Sequence, residues 1–339
     1  MTGGEFLLLG DINIDTVMPV PEFPVPGRDG LAPQVSVEIG GAIVNSAFVF
    51  DHLSQKVALL GCIGKDVWAE KIKQDLALTG IDQNEIRVKP DSSTGLTFII
   101  VTPDGERTMF SHRGANTQLT PGDINEDAFR KANLLHISGY AFLESPQKDA
   151  TWQAVELAKK YGVPVSLDTG LDPVVRNPHE LHRLLSELTI CITGPQEVAV
   201  LFEDLSLEEA VKEMISVGIQ RIAIKMGEKG CRVFNGKENL SFPSFQVDTV
   251  DSTGAGDSFT AGFLYGWAKE MSLSASAVLA SALGALAATV YGAGPALPTK
   301  QKLLDFLRSE KMQNRSFQLQ SIDEVIAALD NDIESFRGA

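Results

Sequence analysis

The segment Asp251-Ser252-Thr253-Gly254-Ala255-Gly256-Asp257-Ser258-Phe259-Thr260-Ala261-Gly262 carries the densest chemical signal in this 339-residue chain. Three small residues, Gly254, Ala255 and Gly256, stand directly before an acidic one, and a helix-compatible run follows. Without bulky side chains, their N–H groups can approach an anion closely, and the positive end of the following helix adds to the attraction. The segment therefore reads as an anion hole leading into a helix. Asp257 beside a bound anion would repel it unless the carboxylate has a chemical task, such as accepting a proton from an attacking hydroxyl. Capping the helix is the plain structural alternative. A helix N-terminus lowers a carboxyl pKa, so this placement predicts an ionised, weakly basic Asp257. That suits phosphoryl transfer, where the nucleophile must be oriented and proton abstraction comes late.

Outward from this segment, short apolar runs alternate with longer amphipathic ones. Strands are predicted at Phe6–Leu9, Val57–Leu60, Leu134–Ser138, Val163–Leu167, Leu188–Thr193 and Arg221–Lys225. Helices are predicted at about Ile43–Leu53, Val67–Leu78, Gln147–Tyr161, Glu197–Phe202, Leu207–Val217, Ser258–Lys269 and Ala275–Tyr291. Such alternation is the pattern of a layered α/β domain with a largely parallel sheet. Two places break it. Gln34–Ile39 puts Val35, Val37 and Ile39 on one side and Gln34, Ser36 and Glu38 on the other, as in a strand with one wet face. Leu96–Val101 and Thr108–His112 flank a hairpin signal centred on Asp104-Gly105. With no crossover helices between them, these pieces predict a separate small antiparallel sheet, placed to act as a lid over the carboxyl ends of the parallel strands.

The balance of 44 acidic and 29 basic side chains gives a formal charge of −15, which argues against nucleic acid or an anionic membrane as a partner. A hydrophobic share of 44% is enough for a substantial core. Cys62, Cys191 and Cys231 are odd in number and far apart, so neither a disulfide framework nor a zinc ribbon is expected. Met1 to Asp15 holds no basic residue and only a short apolar run, and a cytoplasmic location is expected. Met271 to Thr299 carries no charge, but its Ala, Gly and Ser content predicts a tightly packed core helix rather than a membrane span. From about Gln301 two helices are predicted, with Ile322, Val325, Ile326 and Leu329 on one face.

The segment Asp251 to Gly262 resembles the C-terminal signature of the pfkB, or ribokinase-like, carbohydrate kinase family. The N-terminal signature is present as Gly40-Gly41-Ala42-Ile43-Val44-Asn45-Ser46-Ala47, followed by Gly61 and Gly64. The resemblance runs from Leu8 to about Pro298. It implies an α/β three-layer ribokinase-like fold, with a largely parallel central sheet and a small antiparallel β lid. That fold forms a single kinase domain over residues 1–339, with the lid at about 16–39 and 95–113. It implies Asp257 as catalytic base, with Gly254, Ala255 and Gly256 as anion hole. The implied sugar ligands are Asn13 and Asp15, from Gly10-Asp11-Ile12-Asn13-Ile14-Asp15, with Gly40, Gly41, Asn45 and Glu144. A carboxylate suits paired hydroxyls because it is acceptor-only and takes a hydrogen bond on each oxygen.

On the nucleotide side the resemblance implies Lys225, Gly227 and Gly230 beneath the ATP phosphates, with Gly292 and Ala293 near the adenine and the cation loop. Lys225 is expected to reach a phosphate, and Lys229 to face solvent. Glu197 is implied for Mg²⁺ through water, and Asp251 for a potassium-type ion, K⁺, with N-capping as its alternative. Three places depart from the family pattern. Gly194-Pro195-Gln196-Glu197 keeps the Glu of an Asn-x-x-Glu motif and loses the Asn. Ala42 stands where ribokinases carry Lys, and Asp168-Thr169-Gly170 lacks the Asp-Pro-Asn of many keto-sugar acid kinases, although Arg107 and Arg113 could meet an acidic sugar. The implied activity is ATP- and Mg²⁺-dependent phosphorylation of a hydroxymethyl group on a small sugar, with a homodimer through the lid strands. A nucleoside kinase and a catalytically silent sugar-binding protein are the alternatives. A dinucleotide-dependent oxidoreductase is unsupported, because the first strand leads into Gly10-Asp11-Ile12-Asn13-Ile14 and not Gly-x-Gly-x-x-Gly.

Overall fold

The apolar runs become strands because each is short, rich in apolar residues and followed by a segment able to cover one face of a sheet. The computed structural model of the chain describes residues 4–103, 107–312 and 319–337. The strands among them are β1 (Glu5–Leu9), β2 (Asn13–Pro19), β3 (Ser36–Gly40), β4 (Val57–Ile63), β5 (Ile86–Val88), β6 (Gly95–Val101) and β7 (Arg107–His112). They continue with β8 (Ala132–Ser138), β9 (Val165–Asp168), β10 (Ile190–Thr193), β11 (Arg221–Lys225), β12 (Cys231–Phe234) and β13 (Asn239–Phe242). The helices are α1 (Ala42–His52), α2 (Val67–Leu76), α3 (Glu126–Phe129), α4 (Gln147–Tyr161), α5 (Leu171–Arg176) and α6 (Pro178–Leu184). They continue with α7 (Pro195–Leu201), α8 (Leu207–Ser216), α9 (Ala255–Ala268), α10 (Leu273–Ala287), α11 (Lys300–Met312) and α12 (Leu319–Arg337).

The larger sheet has nine strands in the order β13-β12-β11-β10-β9-β8-β1-β4-β5. Only β12 and β13 run antiparallel to their neighbours. Side chains alternate between two cores: Leu8, Ile192 and Ala223 point into one, and Leu7, Leu9, Cys191 and Ile224 into the other. The first core is closed by α1, α2, α9, α10, α11 and α12, the second by α4 to α8, which makes three layers. Leu7, Leu8 and Leu9 are fully buried, and each such side chain contributes roughly 2 kcal/mol. On either side of β1 the strand order runs in opposite chain directions. That is a topological switch, where α/β proteins place their ligands, outside the carboxyl ends of the strands.

The uncharged stretch is α10, packed along α9. A Cβ on Gly262 would come within 2.8 Å of Leu283 Cδ1, and one on Gly266 within 2.7 Å of Ser276 Oγ, so only small residues allow this helix pair to close. No described helix is long and apolar enough to cross a membrane. α10 ends at Ala287, short of the expected Tyr291, and the chain then turns through Gly292 and Gly294 at positive φ.

The smaller sheet has the order β3-β2-β6-β7. Its two antiparallel pairs, β2 with β3 and β6 with β7, are joined by a parallel pairing of β2 with β6. β2 is a strand the sequence patterning did not anticipate. It carries Asn13 and Asp15, and puts Asp15 beside Thr97. β3 begins at Ser36, and Val35 is exposed. The hairpin centre, Asp104-Gly105, lies outside the described residues.

Candidate active site

Asp257 stands in the first turn of α9. The helix is entered through Gly254 at φ 74°, where a Cβ would sit 2.9 Å from Leu297 Cδ2. The first intrahelical bond runs from Ser258 N–H to the Gly254 carbonyl at 2.8 Å. The N–H groups of Gly256 and Asp257 therefore have no acceptor within the helix. Ala255 N–H is directed to the Ser252 carbonyl at 3.2 Å. Within the expected Gly254–Ala255–Gly256 trio, Ala255 N–H is thus taken up while Gly256 N–H is open, with Asp257 N–H beside it.

Asp257 does not cap the helix. Its carboxylate accepts a hydrogen bond from Asn45 Nδ2 at 2.7 Å, and its backbone carbonyl accepts one from Ser46 Oγ at 3.1 Å. Asn45 is itself held, its Oδ1 accepting from Gly294 N–H at 3.2 Å. Asn45, anticipated as a direct sugar ligand, thus fixes Asp257. Burial raises the Asp257 pKa to about 6; the Asn45 bond opposes this rise, and the Asp168 charge adds to it. This corrects the expectation of a lowered pKa. Asp257 is half-buried, and its desolvation outweighs the helix dipole.

Asp15 is buried in β2 and accepts from Thr97 and from the Gly41 N–H; burial, with the Asp257 charge adding, raises its pKa to about 7. The signature glycines make this placement achievable. A Cβ on Gly40 would lie 2.0 Å from Asp15 Oδ2, and one on Gly41, at φ 103°, would lie 2.4 Å from the Asp11 carbonyl oxygen. Asn13 Oδ1 accepts from Asn116 Nδ2 at 2.8 Å, and Asn116 also accepts from Ile12 N–H at 2.9 Å. Arg113, weighed as a contact for an acidic sugar, is committed to the protein. It pairs with both oxygens of Asp11 at 2.8 and 2.9 Å, with Glu144 at 3.1 Å, with the Tyr140 carbonyl at 2.9 Å and with Gln147. Glu144, anticipated on the sugar, keeps 55% of its side chain exposed and pairs with Arg113.

Next to the α9 N-terminus lies a crevice of about 700 Å³, lined by Lys225, Gly227, Gly230, Ala255, Gly256 and Phe259 among others. Lys225 Nζ holds both oxygens of Asp168, at 2.9 and 2.6 Å, and lies 3.6 Å from where a Cβ on Gly256 would be. Burial works against the ammonium, but the Asp168 pair outweighs it and the Lys225 pKa is raised. Thr260 Oγ1 donates to the same carboxylate at 2.7 Å. Lys225 therefore lines the crevice as an ammonium already paired with Asp168. Lys229 is exposed, as anticipated.

Gly292 and Ala293 are not among the residues lining this crevice. Gly292 N–H donates to Asp251 Oδ2 at 2.9 Å, while Asp251 Oδ1 accepts from Thr253 N–H at 2.9 Å and from its hydroxyl at 2.6 Å. Asp251 thus ties the two loops together, and Gly254, not Asp251, is the N-cap of α9. Glu197 folds over the start of α7: a Cβ on Gly194 would lie 2.3 Å from its Oε2, so its carboxylate occupies the space beside the missing Asn.

Asp168, Thr260 and Asn116 escaped the sequence reading as site residues. The first had a usable signal, a carboxylate at the carboxyl end of one parallel strand facing a lysine at the end of another. Asn116 follows β7 of the smaller sheet and had none.

A three-layer α/β fold in which the two glycine signatures meet, Asn45 of one bonded to Asp257 of the other, is a ribokinase-like fold. The pfkB family carbohydrate kinase description matches residues 5–300, and the chain belongs to that family. It is 29% identical over 287 residues to probable fructokinase-3 of Arabidopsis thaliana, spanning 80% of this chain and 83% of that protein. With ribokinase of Haemophilus influenzae it shares 29% identity over 307 residues, 88% of this chain and 97% of that one. Among solved structures, a putative ribokinase II from E. coli in complex with ATP and Mg²⁺ matches with a TM-score of 0.81 and 23% identity, covering 90% of this chain and 99% of that chain.

Proposed function

We propose that this carbohydrate kinase transfers the terminal phosphoryl group of ATP to a hydroxymethyl group of a small neutral sugar or sugar derivative. The observation that carries the reading is Asp257, fixed at 2.7 Å by Asn45 between buried Asp15 and the open amides of α9. Sugar hydroxyls bind Asp15 and Asn13, which places the reacting hydroxyl against Asp257. The hydroxyl oxygen forms its bond to the terminal phosphorus, the bond to the bridging oxygen breaks with its electron pair leaving on ADP, and the proton passes to Asp257. The Gly256 and Asp257 amides hold the charge on the transferring group. The similarity to a probable fructokinase, a ribokinase and a putative ribokinase II in complex with ATP and Mg²⁺ supports this reading.

Mg²⁺ fits the donor set. The described residues hold no cage of three or more ligating side chains, and this ion is commonly held by one or two carboxylates together with substrate phosphates. Glu197, whose charge reaches Lys225, would hold it through water, and the bound ion would neutralise charge on the phosphates. Asp251 already accepts three hydrogen bonds, so a potassium-type ion would take its remaining lone pair. The smaller sheet acts as the lid of one domain, and closing it excludes water. Its outer face pairs Phe98 with Phe110, both exposed, which supports a homodimer through that face.

The test is an ADP-release assay over pentoses, hexoses, polyols, keto-sugar acids and nucleosides, with and without K⁺, and ³¹P NMR of the product. The expected product is a phosphomonoester split by two methylene protons. Turnover with nucleosides alone, or with no acceptor at all, would overturn the reading.

A further inference from the structure

Arg107 opens β7 and pairs with Val101 of β6. By strand alternation it shares a face with Ile99 and Thr97, the face on which β2 presents Asp15. From there it reaches the main body. Its Nη1 donates to Thr253 Oγ1 at 3.2 Å, across 146 residues of sequence. The Thr253 hydroxyl hydrogen is given to Asp251 at 2.6 Å, so its oxygen is free to accept from Arg107. Thr253 directly precedes Gly254, and the guanidinium is thereby held at the rim of the open amides of α9.

The charges around Asp257 are unequal in what they can offer a phosphoryl group. Lys225 and Arg107 are the cations that act on Asp257. The ammonium of Lys225 is matched by both oxygens of Asp168. Arg107 has five N–H donors, and one of them is given to Thr253. A transferring phosphoryl group spreads its charge over three equatorial oxygens, and amides at one helix end approach it from one side only. A planar guanidinium is suited to hold oxygens on another side.

We propose that Arg107 is a catalytic residue, carried by the smaller sheet, whose guanidinium contacts the terminal phosphoryl group of ATP as it transfers. This rests on the kinase reading above. Arg107 exchanges no proton in the step; it holds charge, while Asp257 takes the proton. The contact also couples sheet position to chemistry, since the donor reaches the phosphoryl group only when β7 lies against the α9 turn.

The experiment is calorimetric binding of ATP and of ADP, each with Mg²⁺, to the wild type, Arg107→Gln and Arg107→Lys, together with acceptor affinity and kcat. Arg107→Gln is expected to weaken ATP by about tenfold or more, the scale of a charge-assisted hydrogen bond. ADP and acceptor binding are expected to change by less than about twofold, and kcat to fall by roughly a hundredfold. Arg107→Lys is expected to recover part of the ATP affinity and less of kcat, because it lacks the planar fork. Equal weakening of ATP and ADP would reduce Arg107 to an anchor of the sheet. Loss of acceptor affinity would make it a substrate contact, and unchanged ATP binding would remove the role altogether; each of these overturns the proposal. A wild type that binds neither nucleotide would instead defeat the kinase reading itself.

Discussion

On one side of Asp257 the polar groups are side chains gathered from distant parts of the chain: Asp15 on β2, Asn45 on α1, and Asn116 behind Asn13. Asn45 lies 212 residues from the aspartate it holds. On the other side the lining is mostly main chain and small residues from short stretches, Lys225 to Gly230 and Ser252 to Gly256, above a lysine neutralised by Asp168. The first half is a low-dielectric environment that raises carboxyl pKa values, and its function is tied to pH and to long-range packing. The second offers amides, whose dipoles do not titrate, in a protein of formal charge −15.

The largest expected effect separates chemistry from binding. Asp257→Asn preserves shape and the Asn45 contact, and kcat should fall by roughly a thousandfold, with acceptor Kd within about twofold of wild type. Next comes the division between the halves. On the proposed sugar-binding role of Asp15, Asp15→Asn should raise acceptor KM by roughly thirtyfold, while ATP Kd stays unchanged. An equal loss of ATP affinity would show that the two halves are one unit.

The smallest effect is on stability. Asp15 and Asp257 have raised pKa values, about 7 and about 6, so the folded chain binds more protons than the unfolded one between roughly pH 4 and pH 7. Their contribution to stability is present at low pH and is lost as pH rises through that window. Asp15→Asn should therefore raise Tm by roughly 5 °C at about pH 8 and leave it nearly unchanged at about pH 4. A melt showing the opposite pH dependence would mean that Asp15 is not desolvated.

This contrast also marks what could be read before folding. Gly254, Ala255, Gly256 and Asp257 are contiguous, and the layered sheet announces itself in runs such as Phe6–Leu9 and Arg221–Lys225; both are local signals. β2 was missed because its polar residues, Asn13, Asp15 and Thr16, look like a loop until Thr97 and Gly41 are set beside them. Asp15, Asn45 and Glu197 entered the site reading through resemblance, since nothing in their own neighbourhoods required it. The pKa of Asp257 was misjudged in sign because the helix dipole is local and legible, whereas burial depends on α1 and the Gly294 loop closing over the carboxylate.

The central claim, that half-buried Asp257 must be ionised to receive the proton, is tested most directly by the pH dependence of kcat in the wild type and in Asn45→Leu. The wild type should lose activity below a limb near pH 6, where Asp257 is placed. Asn45→Leu removes the donor that holds that pKa down, so its limb should move to higher pH. A kcat that stays flat from about pH 5 to pH 8 in both proteins would contradict a proton-accepting role for Asp257.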